Sequence, residues 1–136
     1  TYRKLAEHAL EKTMPRLGMT ASAWTASHPL PGGDMPQSDF DAYLLSLKKA
    51  FPFLPVSVVE HYARLYGTRT ALLLKDIHSL DGLGRYFGGT LYEAEITYLK
   101  RYEWAMTAED ILQRRTKHGL HLKAEERAAV EAYLAR

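Results

Sequence analysis

Apolar side chains recur at helical spacing through most of the chain. In residues 91–102, Leu91, Tyr92, Ile96, Leu99 and Tyr102 share one face at about 100° per residue, while Glu93, Thr97, Lys100 and Arg101 point the other way. Gly88 and Gly89 break the chain ahead of this stretch, and Thr90 followed by Glu93 has the spacing of a capping box. Ile96 to Tyr102 is rich in strand-favouring side chains, but the period predicts a helix. A second helix is predicted from Thr107 as N-cap, with Glu109 and Asp110 in its first turn, where the helix dipole favours negative charge. Ala108, Ile111 and Leu112 form its apolar face, and Gly119 is its expected terminator.

The same reading places helices elsewhere. Residues 2–12 carry Leu5, Ala6, Ala9 and Leu10 on one side, and Pro15 and Gly18 end them. Residues 19–37 show no period, and the prolines and glycines around LPGGDMP make them a long connection, with Trp24 as its expected anchor on a surface. Ser38 or Asp39 caps a helix whose Phe40, Tyr43, Leu44, Leu47 and Phe51 form one stripe, and Pro52 stops it. Pro55 starts another, with Val56, Val59, Ala63 and Tyr66 on one face and Gly67 at its end. Thr68 caps a helix expected over 69–78, whose leucines Leu72, Leu73 and Leu74 with Ile77 suit a central position. A last helix is expected over 124–135, with Val130, Tyr133 and Leu134 inward. The result is an all-α fold. A small orthogonal bundle of about five to six helices spans 38–136, preceded by one separate helix (1–14) and a linker (15–37).

Two charges break this pattern. Glu95 falls in the middle of one apolar face, and Arg115 sits among the apolar positions of the next helix. A lone buried charge of either sign is costly, so Glu95 is expected to meet Arg115, or else Arg114, in an internal ion pair that fixes helix register. The other reading of the arginines is a clamp for a substrate anion. Arg114 can also pair with Asp110 at i−4.

Composition narrows the function. Hydrophobic residues are 46% and charged residues 25%, close to an ordinary globular average. Eighteen basic against 16 acidic side chains give +2, so no general polyanion partner is implied. Zero cysteines exclude disulfides and thiol catalysis. Arg114, Arg115 and Lys117 form a basic run that could contact phosphates in a DNA-binding or interaction module, but Glu109 and Asp110 lie one turn away. His118 and His121 have an H-x-x-H spacing interrupted by Gly119, and His8, His28, His61 and His78 are scattered, so no metal site is expected. The GLG at 82–84 lacks the preceding strand of a nucleotide fingerprint. No catalytic residue is identified. The chain starts at Thr1 without Met and is expected to be an excerpt or a processed product.

Several motifs carry a family resemblance: HYARLYGTR (61–69), LGRYFGGTLYEAE (83–95) and YEWAMTAEDILQRRTKHGL (102–120). In this order they resemble the C-terminal domain of FAD-dependent, respiratory glycerol-3-phosphate dehydrogenases. TYRKLAEHALEK (1–12) resembles the segment closing that family's flavin-binding domain, and LPGG (30–33) and PFL (52–54) also fit. Gln113 departs from the family, which usually has Trp before the paired arginines, as does Lys123, where a capping polar residue is usual.

The resemblance implies a parent enzyme that oxidises sn-glycerol 3-phosphate to dihydroxyacetone phosphate, passing electrons through FAD to quinone. It implies a cytoplasmic protein held peripherally on the inner membrane face, with an upstream FAD-binding domain as partner, a possible homodimer and no nucleic acid. Thr1, Tyr2 and Arg3 match residues entering the helix whose N-terminus points at the flavin. The fragment itself is expected to be a structural cap that binds no FAD and turns over no substrate.

Overall fold

The computed structural model describes residues 1–20 and 22–135, which form two compact units, Thr1–Leu30 and Pro31–Arg136. In the first, helix α1 (Tyr2–Thr13) runs into a 3-10 turn, Met14–Leu17, that Gly18 ends. No residue of α1 is buried, and Leu5 and Leu10 are exposed. Trp24 does not bury as an anchor would: it stays 57% exposed, its ring packed edge-on against His28.

The second unit holds every fully buried apolar side chain among the described residues. It begins before the bundle proper, because residues 31–37 are tied to it by backbone. Thr68 N–H donates to Gly32 O (3.0 Å), and Gly67, at φ +54°, packs its α-carbon against the same carbonyl, where a Cβ would overlap it. Asp39, rather than Ser38, caps α2 (Phe40–Ala50) by accepting the Ala42 N–H (3.0 Å). Helix α3 (Val56–Tyr66) turns Val58, Val59, Tyr62, Ala63 and Tyr66 inward, while Val56, at its first position, stays exposed.

The helix expected over 69–78 is a single turn, α4 (Thr70–Leu73). Three consecutive leucines span more than half of a helix circumference. Unwinding at Leu74 (φ −98°, ψ 8°) lets the chain bury Leu73 and Leu74 and leave Leu72 outside. The helix expected from Leu91 starts later. Gly88 and Gly89 adopt φ +118° and +56°, which reverses the chain, so that β1 (Tyr86–Gly88) pairs antiparallel with β2 (Leu91–Tyr92). Helix α5 (Glu93–Tyr102) follows directly. Glu93 therefore does not serve a Thr90 cap. Its carboxylate accepts the Arg85 N–H (3.0 Å) and the Tyr133 hydroxyl (2.7 Å), pinning the hairpin to the helix start.

After α5 the chain turns through Trp104, which has a left-handed backbone (φ 56°) and is 83% exposed. Thr107 then caps as expected: its Oγ1 accepts the Asp110 N–H (3.1 Å), while Asp110 Oδ2 accepts the N–H groups of Met106 and Thr107. The helix that follows is wound as a π-helix over Asp110–Arg115, closed by Thr116 N–H on Ile111 O (3.1 Å). Left-handed Lys117 (φ 63°) ends it, not Gly119, which lies buried in the next turn, His118–Leu120. Helix α6 (Ala124–Leu134) buries Val130 and sets Tyr133 edge-on to Phe87. Its start uses Glu126, whose carboxylate accepts the Lys123 N–H (2.7 Å). The class is all-α, with one small hairpin.

Candidate functional site: a buried glutamate between two histidines

Glu95 is fully buried, and its partners are not arginines. It stands in the first turn of α5, where the helix dipole favours a carboxylate. His61 Nε2 lies 2.7 Å from Oε1, the Tyr66 hydroxyl donates to the same oxygen at 2.6 Å, and His118 Nε2 lies 3.3 Å from Oε2. The two imidazole centroids are 4.7 Å apart. An ionised carboxylate only accepts hydrogen bonds, so both Nε2 atoms face it as N–H. Burial pushes the Glu95 carboxyl up, and the hydrogen bonds from His118 and His61 more than reverse this, leaving it below its ordinary value. Burial, and then the Glu95 charge, push the Tyr66 hydroxyl up, which keeps it protonated and donating.

Three separate segments build this cluster. His61 and Tyr66 project from α3 and Glu95 from α5. His118 is aimed by the turn that leaves the π-helix: Lys117 takes the left-handed conformation, and the Thr116 hydroxyl, itself bonded to Ile111 O, accepts the His118 N–H (3.2 Å). The Tyr62 hydroxyl is buried nearby, raised by burial and then by the Glu95 charge, and makes no hydrogen bond among the described residues.

The expected ion pair from Glu95 to Arg115 or Arg114 does not form. Arg114 bonds Asp110 (2.6 Å) and Glu109 (2.9 Å), and Arg115 is exposed. The π winding carries Arg115 off the face set by Ala108 and Leu112. His61 follows Val58 by three residues and so borders the apolar stripe of α3, the one periodic signal for its place. His118 showed only in the H-x-x-H spacing with His121, because it lies in a turn and on no apolar stripe.

The remaining candidates disperse. His121 is exposed and does not join His118 in the Glu95 cluster. The Lys117 ammonium bonds Gln113 O, so the basic run is a short element with two of its three cations engaged in local contacts. Arg3 pairs with Glu7 (3.3 Å), and Thr1 and Tyr2 are exposed at the start of α1. A second polar cluster joins Arg69 to Tyr98 (2.6 Å) and Tyr98 to Glu103 (3.0 Å).

Residues 23–135 match the family model described as the C-terminal domain of alpha-glycerophosphate oxidase. The chain belongs to this family. It is 48% identical over 132 residues to D-erythritol 1-phosphate dehydrogenase of Brucella abortus (strain 2308), covering 95% of this chain and 26% of that protein. It is 46% identical over 134 residues to the aerobic glycerol-3-phosphate dehydrogenase of Escherichia coli (strain K12), covering 98% of this chain and 26% of that protein. A glycerol-3-phosphate dehydrogenase of Pseudomonas aeruginosa is 42% identical over 134 residues, with 98% of this chain and 26% of that protein covered. The chain thus spans about a quarter of the length of these curated relatives. No helix among its described residues is long and apolar enough to cross a membrane.

Proposed function

We propose that this chain is the C-terminal cap of a flavin-dependent dehydrogenase that oxidises a polyol phosphate at a carbinol carbon, with sn-glycerol 3-phosphate as substrate and dihydroxyacetone phosphate as product. The observation that carries this reading is the match to relatives of that name along nearly the whole chain. FAD in the parent would accept the hydride, and electrons would leave to quinone. Thr1, Tyr2 and Arg3 are read as flavin-adjacent in the parent; here Thr1 and Tyr2 lie exposed at a helix start, and Arg3 pairs with Glu7. This chain's work is to cover and brace the upstream flavin domain, with the Glu95 cluster as the internal brace. The parent is read as cytoplasmic and peripheral on the inner membrane face, with a homodimer as its expected assembly.

The relative named for D-erythritol 1-phosphate supports a second substrate of the same class. The test is to purify the protein extended upstream to its natural start and record its visible spectrum. A flavin spectrum that bleaches with glycerol 3-phosphate supports the reading, and bleaching only with D-erythritol 1-phosphate moves the substrate to the four-carbon polyol. A colourless, inert protein would sink both. The isolated chain is expected to take up no FAD and turn over neither compound, and stoichiometric FAD on it would remove the cap reading.

A further inference from the structure

The Glu95 cluster also has the composition and spacing of a metal site. Its three candidate donor atoms, on His61, Glu95 and His118, all lie within 4.8 Å of one another. Two imidazoles and one carboxylate suit borderline divalent ions of the first transition row. Around a tetrahedral zinc ion, with ligands at about 2.0–2.1 Å, neighbouring donors stand roughly 3.4 Å apart. His118 Nε2 already stands 3.3 Å from Oε2, and His61 Nε2 stands 2.7 Å from Oε1. The three donor atoms, within 4.8 Å of one another, would draw closer around a bound ion.

We propose that His61, Glu95 and His118 bind one divalent transition-metal ion of the zinc class, which clamps α3, α5 and the turn at 116–120 together. The site goes beyond the cap reading and does not depend on it. Its supporting contacts are in place. Tyr66 holds one carboxylate oxygen, and Thr116 holds the His118 backbone, so two of the three ligands are oriented before an ion arrives. The ion approaches from the His61 side, since that side chain is 20% exposed while the other two ligands are almost wholly buried. To ligate, each ring presents Nε2 as a lone pair and carries its remaining proton on Nδ1. Three protein donors leave a fourth position for water. With no cysteine in the chain, a thiolate site cannot account for uptake, and the other four histidines, His8, His28, His78 and His121, are exposed.

The experiment uses the full chain, stripped with EDTA and titrated with Zn2+ alone. The expected result is one equivalent bound, with the melting temperature raised by about 5 °C or more at excess metal. His61→Gln and His118→Asn should each weaken binding at least about tenfold, and His121→Asn should leave it unchanged. Co2+ loaded on the unaltered chain gives a readout that needs no variant: intense visible absorption, as from a four-coordinate nitrogen–oxygen site, supports the proposal. Stoichiometric uptake failing in the unaltered chain would overturn it. So would a Co2+ spectrum like that of the aqueous ion, uptake that survives both cluster variants, or uptake that disappears with His121→Asn.

Discussion

Glu95→Ala removes the acceptor that three donors share. Tyr66 and the two imidazoles would be left facing each other without their shared acceptor. Deleting one member of a buried charged network costs about 3–5 kcal/mol, or roughly 10 °C in a domain of this size. A thermal melt followed by circular dichroism checks this, and an unchanged melting temperature would contradict the burial of Glu95. That this carboxylate is inside was legible in the sequence, because its neighbours Leu91 and Leu99 are apolar. Its partners were not. Periodicity reports which face a residue occupies, not which distant segment meets that face, and His118 belongs to no periodic segment.

At the scale of elements, Asp110 closes the turn ahead of the π-helix. The Arg114 guanidinium, then the N–H groups of Met106 and Thr107, hold its carboxyl well below the usual carboxylate range. A folded-state value below the unfolded one stabilises above the ordinary value of 3.8, and that contribution fades as pH falls below it. The urea midpoint should therefore drop as pH falls below about 4, and Asp110→Asn should flatten that part of the profile. Gly67→Ala tests the backbone contact with Gly32. The substitution adds a side chain at a left-handed φ and into a carbonyl, so it should cost at least about 2 kcal/mol, read as a lowered denaturation midpoint. Caps such as Asp39 and Thr107 were legible because a single side chain makes them. The hairpin at 86–92 and the π winding were not. The first needs two glycines at positive φ, and the second needs one extra residue per turn, and neither alters the apolar pattern enough to announce itself.

For the whole molecule, all the fully buried apolar side chains among the described residues belong to the second unit. A chain of residues 31–136 should thus melt within about 2 °C of the full chain. A large drop would mean that residues 1–30 contribute to its stability. The all-α class followed from helical periodicity alone, whereas the family came from long matched motifs that periodicity does not report.

The two tryptophans sit one in each unit, and both are already well exposed in the folded chain. Their emission is therefore that of wet indole from the outset and should shift little in colour as the core comes apart. Tyr62 and Tyr66, buried beside the glutamate, are the natural chromophores. Near-ultraviolet dichroism would follow the melting of the brace that fluorescence overlooks.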